Sequence, residues 1–345
     1  MSGKGFCFGF IFAGKCLVMH SIYPLKFKPI YLDKIWGGHR IKTLLGHDYG
    51  NLPNCGEAWL ISGYKNMNTE VINGFLAGNE LNELVEIYMD ELVGEKIYEK
   101  YGNEFPILVK IIDAADWLSV QVHPDDELAN ARGMRGGKTE MWYIIDAEPG
   151  AQLISGFSRN TSRFEYQSLL QQKRLPEILN YENVKAGDVF FMPAGRIHAL
   201  GPGVMLTEIQ QTSDTTYRIY DWDRVDAEGR SRELHLEEAL DAIDFNAYPE
   251  YKTQYAVVPN ATSHLVKCPY FNTNMLKLDK PIEKDYGYID SFVILITTEG
   301  LCEIITEQGS EILRGGEALL LPAITEIARF YPKLPTTLLE TYIDL

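Results

Sequence analysis

The chain has 345 residues, a formal net charge of −16, 46% hydrophobic and 23% charged residues. This is the composition of a globular protein of about two domains, with enough apolar residues to bury a sizeable core. The acidic balance disfavours nucleic acid and anionic membrane as partners, so an anionic ligand would need a local basic pocket.

The chain opens MSGKGFCFGFIFAGKCLV. Lys4 before the apolar run 6–13 faintly resembles a signal peptide. The run is short, Lys15 interrupts it and no A-x-A site follows. The expectation is that residues 1–18 are an N-terminal extension arising from start-site assignment, with Met19 the true start. No stretch reaches the roughly 18–20 apolar residues of a membrane span. Five scattered cysteines (Cys7, Cys16, Cys55, Cys268 and Cys302) form no CxxC, which argues against a disulfide framework and for a reducing, cytoplasmic setting.

Residues 23–63, with LKFKPIYL and GEAWLISGY, read as short strands and turns. Residues 79–101 predict a helix, with Leu81, Leu84, Val85 and Tyr88 at helical spacing. FPILVKIIDA (105–114) reads as a buried strand. SVQVHPDD (119–126) follows, a strand-like run closed by proline. Alternate residues of a strand share a face, so Gln121 and His123 stand together, opposite Val120 and Val122. Such groups need partners, because burying each unpaired costs about 1–3 kcal/mol. Pro124-Asp125-Asp126 reads as a helix start.

GGKTEMWYIIDA (136–147) predicts another strand, and 161–179 a helix broken at Pro176. VKAGDVFFMPAGRIHAL (184–200) reads as turn, strand and turn, and VMLTEIQQ (204–211) as a strand. LHLEEALDAIDF (234–245) is a short amphipathic helix, and 246–262 is the best linker candidate. AGDVFFMPA (186–194) is echoed by GGEALLLPA (315–323), with Ile327 where the first copy has His198. Short strands, Gly/Pro turns and this echo predict a mainly β fold of two related jelly-roll barrels with helical insertions. The first unit, which keeps the histidine, would occupy 19–245, and the second, which lacks it, 263–345. No G-x-G-x-x-G follows a strand, which disfavours a doubly wound α/β fold.

Gln121, His123, Glu140 and His198 together offer one amide oxygen, two imidazoles and one carboxylate, a donor set for a divalent first-row metal. The glutamine is unusual for zinc, and a lone strand histidine is more often a hydrogen-bonded residue than a ligand, so spacing alone leaves the matter open. His20, His39, His47, His235 and His264 lack comparable company.

LSVQVHPDD, GKTEMWYII, MPAGRIHAL and EIQQTSDTTYRIYDWDR together resemble the type I mannose-6-phosphate isomerases, a zinc-dependent branch of the cupin superfamily. KFKPIYLDKIWGG and GEAWLISG are similar to that family's N-terminal segment, and the length resembles its compact bacterial subgroup. The resemblance implies cupin-type barrels and one zinc per chain, held by Gln121, His123, Glu140 and His198. It implies interconversion of mannose 6-phosphate and fructose 6-phosphate, by proton transfer between C1 and C2 through an enediol-like intermediate.

On the same resemblance, Arg218 is catalytic, Lys138 and Glu208 are active-site residues, and Ser119 and Lys110 bind the phosphate. A guanidinium suits developing negative charge but is a poor base. Glu208 or a water on the zinc would serve as base, with Lys138 as electrostatic partner. For Lys110 a salt bridge to a neighbouring acid is the competing explanation. Arg224 and Asp221 read as an ion pair, Trp142, Tyr143, Tyr217 and Tyr220 as core and pocket wall, and Asp125 and Asp126 as a helix N-terminus. The implied partner is a small sugar phosphate, with the protein a monomer or weak homo-oligomer. The rival readings are another metal-dependent cupin, such as an oxygenase or a different sugar-phosphate isomerase, and a non-catalytic sugar-binding cupin.

Overall fold

A computed structural model describes residues 21–225 and 229–345. The expectations for residues 1–18 and Met19 lie outside the described residues, as do Cys7, Cys16 and His20. The fold is mainly β, as the short strands and turns predicted.

Two sheets face one another around the interior of the first half. One has five strands, in the order Leu179–Asn183, Gln152–Phe157, His198–Leu200, Val120–Val122 and Tyr217–Tyr220. The other has six, in the order Val189–Met192, Glu140–Ala147, Val204–Gln211, Ile107–Ala114, Glu57–Ile61 and Ile30–Leu32. The alternation at 120–122 sorts the faces of the first sheet. Val120 and Val122 are fully buried among Ile154, Ala199 and Ile219, under the helices Arg163–Gln171 and Leu236–Ala242, which add Tyr166, Ala239 and Leu240. Gln121 therefore points between the sheets.

The six-stranded sheet is apolar on its outer face. Val109, Ile111, Met141 and Met205 pack there in one core with Ile294, Ile296, Leu320 and Leu339. Those last residues belong to a seven-stranded sheet built on the long strands Val293–Thr306 and Ile327–Tyr342, whose other face encloses Leu276, Leu295, Leu319 and Phe330. Phe105 and Phe292, both fully buried, meet across this seam with ring centroids 4.5 Å apart. Phe292→Ala should cost about 3–5 kcal/mol through the cavity it leaves. A lower urea midpoint with an unchanged slope would report that loss, and an unchanged midpoint would count against a shared core.

The helix expected over 79–101 is broken at two places, within Leu81–Val93 by a kink at Met89 (φ 46°) and before Glu95–Tyr101. Gly94 makes the second break at φ +99°, where an added Cβ would lie 2.5 Å from the Asp290 carbonyl oxygen. The stretch 161–179 resolves into Arg163–Gln171 and a 3-10 turn, Leu175–Ile178, with Pro176 in its first turn. Helix Asp126–Ala131 starts as expected, with the Asp125 side chain accepting from the Leu128 amide at 2.8 Å. The echoed segments form the strands Val189–Met192 and Ala318–Leu321, after glycines of nearly equal φ, Gly187 (88°) and Gly316 (89°). His198 and Ile327 each open the next strand. Residues 247–255 run along the first half, where Tyr251 is buried and donates to the Phe157 carbonyl at 2.7 Å, and Asn260 then bonds to the Lys277 carbonyl of the second half at 2.9 Å. Among the described residues, no helix is long and apolar enough to cross a membrane, and Cys55, Cys268 and Cys302 are free thiols.

Candidate active site

Strand pairing brings the expected ligands together from both sheets. His198 is the cross-strand partner of Gln121, and Gln121 is in turn the partner of Arg218. Glu140 opens its strand in the facing sheet, opposite Met192 and Gln210. The ligand atoms of His123, Glu140 and His198 all lie within 4.8 Å of one another, and all three residues are buried.

Each imidazole is aimed by its other nitrogen. His123 Nδ1 donates to the Thr215 carbonyl at 2.8 Å and His198 Nδ1 to the Arg196 carbonyl at 2.9 Å, which turns both Nε2 atoms toward Glu140. Such backbone partners fix the tautomer and ring orientation of a ligating histidine. His198 Nε2 stands 3.3 Å from Glu140 Oε1, and His123 Nε2 3.6 Å from Oε2. Ligand atoms about 2.0–2.1 Å from a tetrahedral ion are separated by about 3.3–3.4 Å, so the spacing fits. The Gln121 amide nitrogen lies 3.2 Å from His198 Nε2, and a half-turn of the amide presents its oxygen at the same place.

Two further observations favour a cation here. Glu140 Oε1 is buried and has no hydrogen-bond partner. The Lys138 ammonium contacts Glu140 and stands 3.2 Å from His123 Nε2, so positive charge is already drawn to the centre of the cluster. Burial, reinforced by Lys138, pushes the His198 imidazole down to about 4 and His123 well below its usual range. Both rings are neutral near pH 7, the state in which histidine binds metal.

A row of side chains crosses the six-stranded sheet beside this centre. Trp59, Lys110, Glu208 and Trp142 are successive cross-strand partners on four neighbouring strands. Glu208 accepts from Trp142 Nε1 at 3.0 Å and lies 3.3 Å from Lys110 Nζ and 3.8 Å from Lys138 Nζ. Burial alone would raise the Glu208 carboxyl, but Lys138 and Lys110 bring it down to about 2. Glu140 moves the other way, to about 7, through burial and the adjacent Glu208 charge. A bound cation would reverse that rise.

Lys110, Lys138, Trp142, His198 and Glu208 line a cavity of about 310 Å³ with Ser119, Gln121, Arg218 and Arg232. The size suits a small molecule, whose sites run from about 300 to 1,000 Å³. Ser119 Oγ accepts from Arg218 Nε at 3.3 Å. Arg218 also donates to the Glu233 carbonyl at 2.9 Å, and burial with the nearby Arg232 charge lowers its guanidinium from the usual value. Lys110 lines the same cavity but is matched by Glu208, by Glu57 at 3.9 Å and by Asp214 at 3.8 Å, and lies over the Trp59 ring. The salt-bridge explanation therefore describes its surroundings.

The other described histidines have ordinary partners. His235 Nδ1 accepts from the Arg218 amide, His264 meets Asn274, His39 meets Tyr49, and His47 bridges Tyr31 and the Gly316 carbonyl. Asp221 and Arg224 form the expected ion pair at 2.6 Å. Sequence reasoning passed over Glu57, which accepts from Trp59 Nε1 at 2.8 Å, and over Arg232, which joins Asp221. It also left Trp142 as wall, although its indole donates to Glu208.

The catalytic-domain model of the type I phosphomannose isomerases matches residues 25–148. The chain is 37% identical over 313 residues to mannose-6-phosphate isomerase ManA of Bacillus subtilis, covering 87% of this chain and 93% of that one. It is 36% identical over 308 residues to mannose-6-phosphate isomerase of Streptococcus mutans, covering 86% and 92%. The crystal structure of mannose 6-phosphate isomerase from Bacillus subtilis superposes with a TM-score of 0.84 at 30% identity, over 93% of this chain and all of that one. Relatives matched over nearly their whole length, and a fold that buries the His123–Glu140–His198 cluster, place this chain in the type I phosphomannose isomerase family.

Proposed function

We propose that the protein interconverts mannose 6-phosphate and fructose 6-phosphate, using one zinc ion held by Gln121, His123, Glu140 and His198. The observation that carries this reading is the buried His–Glu–His cluster, with its unpartnered Glu140 oxygen, opening onto a cavity lined by cations. When bound, the ion would supply a Lewis acid for the negative charge that grows on the sugar's oxygens.

The chain's own groups do the rest. Arg218 stands between the metal ligands and Ser119, where its fixed positive charge stabilises the oxygen that becomes negative as the enediol forms. Glu208 is ionised at neutral pH and takes the proton from one carbon and returns it to the other. Its low basicity is offset because Arg218 lowers the barrier to forming the anion. Lys138 and Lys110 keep Glu208 charged, and the Trp142 indole fixes its direction. Ser119 receives the phosphate at the arginine end, and Lys110 acts mainly by orienting Glu208.

In this reading the catalytic unit is 19–245, joined through 246–262 to a second unit, 263–345, that holds no metal. The working species in this reading is a monomer or weak homo-oligomer. Free thiols fit a cytoplasmic setting.

Chelation should bring isomerisation of mannose 6-phosphate to background, and added zinc should restore it. A folded, zinc-loaded protein without that activity would return the assignment to another metal-dependent cupin or a sugar-binding module.

A further inference from the structure

We infer that Arg232, held in place by the buried Asp221, is the guanidinium that grips the substrate's phosphate beside Ser119 and makes the cavity selective for phosphorylated sugar. The inference rests on the sugar-phosphate reading above and adds a residue and a source of selectivity to it. Five cationic side chains line the cavity against three carboxylates, Glu57, Glu208 and Asp214. All three carboxylates lie within 4.0 Å of Lys110, at the six-stranded sheet. The positive charge that none of these acids matches is at the other end, on Arg218 and Arg232.

Arg232 is built into that end. Its Nε donates to Asp221 Oδ2 at 2.7 Å and its Nη2 to Oδ1 at 2.5 Å. A guanidinium has five N–H donors, and this pairing takes two. Asp221 is only 6% exposed and also accepts from Arg224. It follows the strand Tyr217–Tyr220, and the next two residues, Trp222 and Asp223, both have positive φ (58° and 55°). The Arg224 amide bonds back to the Asp221 carbonyl at 3.1 Å, closing a turn of the I′ kind. A strand end and a tight turn thus hold the carboxylate that aims Arg232, next to the Arg218–Ser119 bond. The free donors of Arg232 and the Ser119 hydroxyl at that end of the cavity suit a phosphate dianion, which Arg recognises through paired charge-assisted bonds.

The test uses the zinc-loaded full chain, with inorganic phosphate and mannose 6-phosphate as probes. Arg232→Gln should raise both the Kd for phosphate and the KM for mannose 6-phosphate by about 10- to 100-fold, the loss of one or two bonds to a charged group. The turnover number should change far less, because Arg232 meets the end of the sugar that does not react. Arg232→Lys should recover part of the phosphate affinity, and Asp221→Asn should weaken it in the same direction while leaving kcat near wild type. Unchanged phosphate affinity in Arg232→Gln, or a fall in kcat with KM unmoved, would overturn the inference. A wild-type protein that binds phosphate through Arg232 yet fails to isomerise the sugar would sink the isomerase reading alone. Normal isomerisation with phosphate binding indifferent to Arg232 would sink this inference alone.

Discussion

His123→Ala should yield a folded protein that no longer retains zinc and whose isomerase activity falls by about three orders of magnitude or more, the scale of losing a Lewis acid worth several kcal/mol. The expected loss is large because the site has no spare donor. Gln121 is a weak neutral ligand, and Glu140 then has only His198 across from it, with the Lys138 ammonium already in contact. Removing the ring also strips the Thr215 carbonyl of its donor, so a drop in stability of about 1–3 kcal/mol should accompany the metal loss. Metal analysis after dialysis separates the two effects. One retained zinc per chain with full turnover would remove His123 from the ligand set.

Arg218→Ala should keep its zinc and lose about 10²- to 10³-fold in kcat, as when one preorganised donor to a developing oxyanion is removed. The guanidinium is not a ligand, so the metal content should not follow the activity. Its place is set by Ser119 Oγ on one side and the Glu233 carbonyl on the other. Arg218→Lys should rescue little, because a point charge cannot span both anchors and still face the substrate. Wild-type turnover in either variant would end the electrostatic role assigned here.

The pairing of Gln121 and His123 on one face was legible because a period of two needs no partner strand to be read. Val-Gln-Val-His-Pro states which side chains share a face and where the strand stops, and the structure places Gln121 and His123 on the interior side. The Trp59–Lys110–Glu208–Trp142 row was not legible in that way. It depends on the register of four strands from distant parts of the chain, and register is a tertiary property. Lys110 shows the difference: a lysine in an apolar run announces a partner without saying which. Arg232 lies in GRSRELH, which reads as a solvated charged loop until Asp221 is seen beneath it. The break at Gly94 could not be foreseen either, since the atom that forbids a side chain there belongs to Asp290.

The exposure of the cavity's charges follows a gradient with a kinetic meaning. Lys34 and Arg232 at the rim keep about a third of their side-chain surface, whereas Glu208, Lys138 and Glu140 keep 5% or less. Around that rim lies a molecule of net charge −16. A dianion in solution feels both the negative surface and the positive rim only within roughly a Debye length, about 8–10 Å at physiological ionic strength. Encounter is thus governed by diffusion onto a small target rather than by steering across the surface.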